Sequence, residues 1–200
     1  MILIMAGAGA SVHHPAMLKL MSALTAFAVV ASAQALAQHP AHPGHHDAAR
    51  TGQASPYSGE EAREIKALSA QEQRAWLEGQ GMGLAKAAEL NSHPGPMHVL
   101  EHADSLGLTH SQRNATRELM DRHKAEVRAL GAELVMMERQ LDDLFKARTA
   151  TPGDVSVLVQ QIGLLQARIR ASHLTTHIRQ TALLRAEQVV AYDRLRGYAR

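Results

Sequence analysis

The chain has 200 residues, of which 13 are histidine, none is cysteine and only 3% are aromatic. The lack of cysteine excludes disulfides, thiolate zinc sites, iron–sulfur clusters and a cysteine nucleophile. With 21 Lys and Arg against 19 Asp and Glu, the formal net charge is only +2, so the composition argues against a nucleic-acid binder held by phosphate contacts.

Residues 1–37 have the layout of a secretory signal. They contain no acidic residue, and Lys19 precedes a small, apolar run over residues 20–37 that ends in Ala35-Leu36-Ala37. Charged, apolar and A-x-A-like regions in that order predict export to the periplasm, with cleavage near Ala37. An uncleaved membrane anchor is the alternative. No other stretch has the ~20 apolar residues that span a bilayer.

Residues 38–59 are rich in His, Pro, Gly and Ala and have no apolar periodicity. This composition predicts a flexible arm ahead of a folded domain at residues 60–200. A flexible histidine tract captures metal with weak selectivity, because ordering the arm opposes tight binding; enrichment without function is the alternative. The histidines of the arm are His39, His42, His45 and His46.

The first part of the folded region predicts short helices. Ser69 with Glu72 is a capping box, so a helix begins there and is interrupted by the glycines of residues 79–83. Another helical piece covers residues 84–90. Pro96 follows a His-Pro-Gly turn and is well placed to start a helix that runs to about Leu106.

The second part predicts a long helical hairpin. Thr109 and Gln112 form another capping box, and a helix is expected over residues 110–148. Thr151 as N-cap and Pro152 in the first helical position start a second long helix. The short connection requires the two helices to be antiparallel neighbours. A last short helix is expected over about residues 187–198, and no strand-like alternation is present, so the fold class is all-α.

Both long helices carry an apolar stripe with steps of three and four residues, which is typical of a core-facing helix. A single hairpin has a thin core, so the stripe needs the short helices, a second subunit or both. The stripe residues are Leu119, His123, Val127, Leu130, Leu134, Met137, Leu141 and Leu144, then Val155, Leu158, Ile162, Leu165 and Ile169.

An LTxxQ motif heads the long helix, and a degenerate copy with Arg185 in the threonine position precedes the last helix. The motif residues are Leu108, Thr109, Gln112, Leu184 and Gln188. Two such motifs on an exported, cysteine-free hairpin resemble the Spy/CpxP family and its metal-linked relatives, the zinc-resistance-associated proteins and CnrX-like periplasmic sensors. Residues 63–69, 81–91 and 94–100 look like the subgroup described as heavy-metal resistance or sensor proteins.

The resemblance covers about residues 57–200. It implies a hooked helical hairpin, usually a homodimer, that acts in envelope stress as a chaperone, a metal-binding sensor or both. It also implies partners of two kinds, a membrane sensor or unfolded envelope proteins.

Three histidines of the hairpin are candidate metal ligands. His173 and His177 lie four residues apart on one helix face, so both imidazoles can bind one ion. A hairpin that folds about residues 150–151 places His123 opposite His177. Nitrogen-rich ligands suit Zn, Ni, Co or Cu(II), and Met120 would add a softer donor. The alternative is that these are boundary histidines with polar tips at a solvated hairpin end.

A second candidate pair lies in the sequence His98-Val-Leu-Glu101-His102, which matches the inverted zinc-protease motif. We expect no enzyme activity, because a third downstream ligand and a sheet for an extended substrate are both missing from the sequence pattern. His98 and His102 remain a candidate binding-only metal site, with His93 or Met97; the alternative is surface or interface residues.

Other methionines are assigned to the core. Met82, Met136 and Met137 are more typical of core filler than of a copper box. The sequence therefore predicts a periplasmic protein of heavy-metal resistance or sensing that binds a divalent transition metal through helix histidines. The alternatives are an ATP-independent holding chaperone like Spy and a CpxP-like inhibitor of a sensor kinase.

Overall fold

The computed structural model describes residues 54–198, so the predicted signal and the arm up to residue 53 lie outside the described residues. The described chain is all-α, as predicted, and contains no strand apart from one isolated bridge between Ile65 and Leu68. A 3-10 turn at Glu60–Ala62 precedes the α-helices, which are α1 (Ala70–Glu78), α2 (Lys86–Glu89), α3 (Pro96–Glu101), α4 (His110–Lys146), α5 (Pro152–Ala182) and α6 (Ala186–Leu195).

The predicted starts of the long helices are confirmed. The hydroxyl of Thr109 accepts a hydrogen bond from the Gln112 backbone N–H at 3.2 Å, and the Gln112 side chain accepts one from the Thr109 N–H at 3.0 Å. In α5 the Thr151 hydroxyl accepts from the Asp154 backbone N–H at 3.2 Å, without the reciprocal bond, and Pro152 stands in the first turn. These caps satisfy N–H groups that have no partner inside the helix.

The predicted stripes form the core of the hairpin. Burial of these aliphatic side chains between two long helices is the main driving force for their packing. The buried cluster consists of Val127, Leu130 and Leu134 from α4 with Ile162, Leu165 and Ile169 from α5.

The register of the hairpin differs from the prediction. His123 was expected opposite His177, but its Nε2 lies 3.0 Å from Nδ1 of His173. The predicted register is therefore wrong by about one helical turn. The reason lies in the connection, because α4 already ends at Lys146 and Arg148 adopts a left-handed conformation with φ 56°. The chain reverses earlier than a turn centred on residues 150–151.

The short helices pack against the hairpin. α1 crosses α4 at Gly131, where a Cβ atom would overlap the Trp76 carbonyl, so only glycine permits this approach. α3 is shorter than predicted, because residues after Glu101 form tight turns that end at Gly107 with φ 57°. No helix among the described residues has the length and apolarity to span a membrane.

The two LTxxQ motifs meet in space. Gln112 Nε2 donates to Gln188 Oε1 at 2.8 Å, and Gln188 Nε2 donates to the Leu106 carbonyl at 3.1 Å. Leu108 and Leu184 pack in the same cluster around the buried Tyr192. Since Arg185 has no acceptor group, only the glutamine half of the capping box operates in α6, through a 2.9 Å bond from the Arg185 N–H to Gln188. The motif residues therefore join the heads of α4 and α6.

Candidate functional site

A cavity of about 280 Å³ lies between the short N-terminal helices and the middle of the hairpin. Its wall is formed by the glycine-rich segment before α2, by the start of α3, and by side chains from within α4 and α5. Its lining includes four histidines and three methionines, namely His98, His123, His173, His177, Met82, Met97 and Met120. The tertiary structure therefore brings together histidines from three helices that are up to 79 positions apart in sequence.

A chain of hydrogen bonds orients the imidazoles of His123 and His173. Ser172 Oγ donates its only proton to Glu126 Oε2 at 2.7 Å. It therefore accepts from His123 Nδ1–H, 3.1 Å away. The other nitrogen of a neutral His123, Nε2, then accepts from His173 Nδ1–H at 3.0 Å. This order leaves a lone pair on His173 Nε2.

His173 Nε2 is the end of that chain. It is buried and finds no hydrogen-bond partner among the described residues, although the side chain lines the cavity. Burial and the neighbouring His123 and His177 lower the pKa of His173 to about 4, and burial also lowers the pKa of His123. Both imidazoles are therefore neutral at pH 7 and have a lone pair to offer.

His177 is held in the same way by a different partner. Its Nδ1–H donates to the His93 carbonyl at 2.7 Å, which leaves Nε2 as the free nitrogen. The ring packs on Gly95, where a Cβ atom would come within 2.8 Å of Cε1 and 2.9 Å of Nε2. The glycine therefore provides the space for the imidazole.

Glu89 is a largely buried acid next to His177, with a side chain that is 13% exposed. Its Oε1 accepts from Tyr192 OH at 2.6 Å, and its Oε2 lies 3.6 Å from His177 Nδ1. Burial, together with the nearby Glu89 carboxylate, raises the pKa of Tyr192, so the phenol stays protonated as the donor. Glu89 Oε2 is buried without a hydrogen-bond partner among residues 54–198 and belongs to a side chain that lines the cavity.

Of the two histidines predicted to form a pair on α3, only one lines the cavity. His98 lines the cavity, and its Nδ1–H donates to Glu101 Oε2 at 2.6 Å, which leaves Nε2 free. His102 is the C-cap residue of α3 and is not among the residues that line the cavity. The two histidines of the inverted protease motif therefore do not face one cavity.

The structure brings the three histidines of the predicted site to one cavity. His123, His173 and His177 line one cavity, but both nitrogens of His123 are engaged in hydrogen bonds. Across the part of the chain that the structure describes, no three His, Asp or Glu side chains are grouped closely enough to hold an ion as they stand. Metal binding by these histidines stays a prediction.

The assignment of three methionines to the core is wrong for two of them. Met82 is 41% exposed and Met136 is 48% exposed, whereas Met137 packs against the hairpin core. Sequence reasoning also missed Glu89. The signal was available, because Glu89 is the only acidic residue in residues 79–100, a stretch of mainly small and apolar side chains.

Comparison of the chain with family models, with curated proteins and with solved structures finds no match.

Proposed function

We propose that this is a periplasmic heavy-metal-binding resistance or sensor protein, which binds a divalent transition metal through helix histidines in envelope metal stress. The observation that carries the proposal is the neutral, buried Nε2 of His173, which has no hydrogen-bond partner among the described residues and belongs to a cavity shared with His98 and His177. An unpaired polar atom in such a place costs free energy that a ligand would recover.

The surroundings of the histidines fit metal binding. In metalloproteins the second ring nitrogen of a histidine ligand usually donates to a carbonyl, a carboxylate or another fixed acceptor, which orients the ring. His98, His173 and His177 each have Nδ1–H held in this way, by Glu101, His123 and the His93 carbonyl. Imidazole nitrogens with a nearby carboxylate suit Zn, Ni, Co and Cu(II).

The positions of the donors suggest how binding would be read out. His98 belongs to α3, whereas His173 and His177 belong to α5. An ion that draws donors from both helices would fix the packing of the short N-terminal helices on the hairpin. A membrane partner could read that change, or the protein could simply buffer the metal.

Calorimetry of the mature chain with Zn, Ni, Co and Cu(II) salts tests the proposal. We expect His173→Ala to weaken binding by more than about tenfold, and the double variant with His123→Ala to lose the helix site. His110→Ala is the matched control, because His110 is exposed at the head of α4 and does not line the cavity. Unchanged affinity and stoichiometry in the double variant would refute the proposal.

A second candidate function, an ATP-independent holding chaperone, is favoured by the outer face of α5. Val157, Leu164 and Ile178 are 56%, 61% and 59% exposed and lie seven and fourteen residues apart, on the side away from the hairpin core. They form an apolar seam, and the charged residues of α5 beyond Asp154 are all arginines: Arg168, Arg170 and Arg179. A mildly apolar, basic surface suits an unfolded client.

An aggregation assay on a denatured client, run with chelator present, separates the two candidates. The chaperone predicts suppression that is indifferent to metal and is weakened when Leu164→Ser and Ile178→Ser are combined. Val190→Ser is the control, since Val190 is 51% exposed on α6, outside the seam. Absence of suppression with and without metal removes the chaperone candidate.

A further inference from the structure

We infer that the cavity is selective for a soft monovalent ion, Cu(I) or its analogue Ag(I), which it binds with methionine sulfur as well as histidine nitrogen. This inference rests on the part of the proposed function that assigns metal binding to the cavity histidines, and it replaces the divalent ion with a soft monovalent one. Five methionines occur in the described residues, and three of them line this one cavity. They come from three separate segments: Met82 from the loop before α2, Met97 from α3 and Met120 from α4.

Two of the three methionines, Met82 and Met97, are not explained by core packing. Met82 and Met97 are 41% and 50% exposed, so neither fills the interior. Met82 also adopts a left-handed backbone conformation with φ 42°, between Gly81 and Gly83. A long side chain in this conformation is strained, whereas either neighbouring glycine would adopt it freely. Such strain often occurs at ligand-binding positions, where it sets the direction of a side chain.

The donor chemistry favours a soft ion. Thioether sulfur binds Cu(I) in preference to harder ions, while imidazole binds copper in either oxidation state. The Nε2 atoms of His173 and His177 and the methionine sulfurs are uncharged donors when they coordinate an ion, so this set of ligands supplies no charge of its own. A neutral set of sulfur and nitrogen donors matches a monovalent ion better than a divalent one.

The charged side chains around the cavity also favour a monovalent ion over a divalent one. Lys86, Lys124 and Arg196 line it, against a single carboxylate from Glu89. The excess of positive charge repels a bound cation, and the repulsion of a divalent ion is twice that of a monovalent ion at the same place. Electrostatics therefore adds to the preference that the sulfur donors create.

Titration of the mature chain with Ag(I) and with Zn(II), in chloride-free buffer, tests the inference. We expect Ag(I) to bind more than about tenfold tighter than Zn(II). The combined substitutions Met97→Leu and Met120→Leu keep an apolar side chain of similar volume but remove the sulfur. They are expected to weaken Ag(I) binding by about tenfold or more and to leave Zn(II) binding unchanged.

Met136→Leu is the matched control, because Met136 is an exposed methionine of α4 that does not line the cavity. It should alter neither titration, and thermal unfolding of each variant checks that the fold is retained. Tight Zn(II) binding that exceeds Ag(I) binding, or Ag(I) binding that survives in the Met97/Met120 variant, overturns the inference and leaves the proposed function standing. If neither ion binds the unaltered chain more tightly than it binds the His173→Ala variant, the inference and the proposed function are both overturned.

Discussion

Three of the four histidines that line the cavity, His98, His173 and His177, each have Nδ1 committed to a different kind of acceptor. Glu101 provides a carboxylate for His98, the His93 backbone provides a carbonyl for His177, and His123 provides a ring nitrogen for His173. The result is the same in each case, because the tautomer with Nδ1–H is selected and Nε2 keeps its lone pair. His123 therefore acts on His173 by positioning it, while its own role as a ligand stays a prediction.

Gly95→Ala tests the position of the His177 ring. Gly95 has φ −86°, which alanine adopts without strain, but the new Cβ atom would come within 2.9 Å of His177 Nε2. We expect the ring to shift, the 2.7 Å bond to the His93 carbonyl to weaken, and metal affinity to fall by about tenfold. Calorimetry measures the change, and circular dichroism verifies that the helices remain.

Gly81→Ala is the control for this prediction. Gly81 also lines the cavity, but a Cβ atom there meets no described atom within 4 Å. Equal losses of affinity in the two variants would show that any added methyl group in the cavity wall has the same effect, and would contradict the specific role of Gly95.

At the scale of elements, the close approach of α1 to α4 determines where the cavity wall stands. Gly131 allows the Trp76 backbone to lie directly on α4, and Trp76 also packs against the hairpin core. The glycine-rich loop that follows α1 is thereby brought beside α4 and α5, where it lines the cavity. The heads of α4 and α6 are joined separately by the Gln112–Gln188 pair.

Gly131→Ala should separate α1 from α4. Because the added methyl group overlaps backbone atoms of Trp76, we expect a loss of about 1–3 kcal/mol in the free energy of unfolding. Urea denaturation measures it. In Gly163→Ala, a helical position of α5 where a Cβ meets no described atom within 4 Å, stability should instead rise by about 0.5–1 kcal/mol. A gain at Gly131 of the same size as at Gly163 would contradict the tight packing.

At the scale of the whole molecule, a bound ion should stabilise the fold. Donors from α3 and α5 come together only in the folded chain, so the ion binds the native state and not the unfolded one. At a free ion concentration of 100 times Kd, the gain is about 2.7 kcal/mol, which thermal unfolding would record as a higher Tm. Chelator should reverse the rise in Tm.

The same experiment on His173→Ala separates cavity binding from capture by other histidines. This variant should show little rise in Tm at the same ion concentration, whereas His110→Ala should behave like the unaltered chain. A full rise in Tm with His173→Ala would place the stabilising ion outside the cavity. Sedimentation at two protein concentrations should accompany the thermal unfolding and measure the oligomeric state, because a second copy of the chain that binds the α5 seam would also raise Tm.

Local signals along the chain define where most helices of this protein begin and which face each one buries. Capping boxes at Ser69 and Thr109, the Thr151-Pro152 start and the periodic stripes are local signals, and the structure confirms each of them. Local hydrogen bonds and a period of 3.6 residues suffice for such features. The ends of α3 and α4 were less well predicted, since single turns and one left-handed residue, Arg148, decide where those helices end.

Which side chains share the cavity depends on packing between segments that are distant in the chain. Register depends on where a connection reverses, and a shift of about one turn moved His173 into the place expected for His177 opposite His123. Glu89 and Met82 lie in short segments without a strong pattern, so their approach to the hairpin depends on packing at Gly131 and Gly95. The large number of histidines was visible in the sequence. Which of their ring nitrogens are hydrogen-bonded and which are free follows from contacts between residues that are distant in the chain.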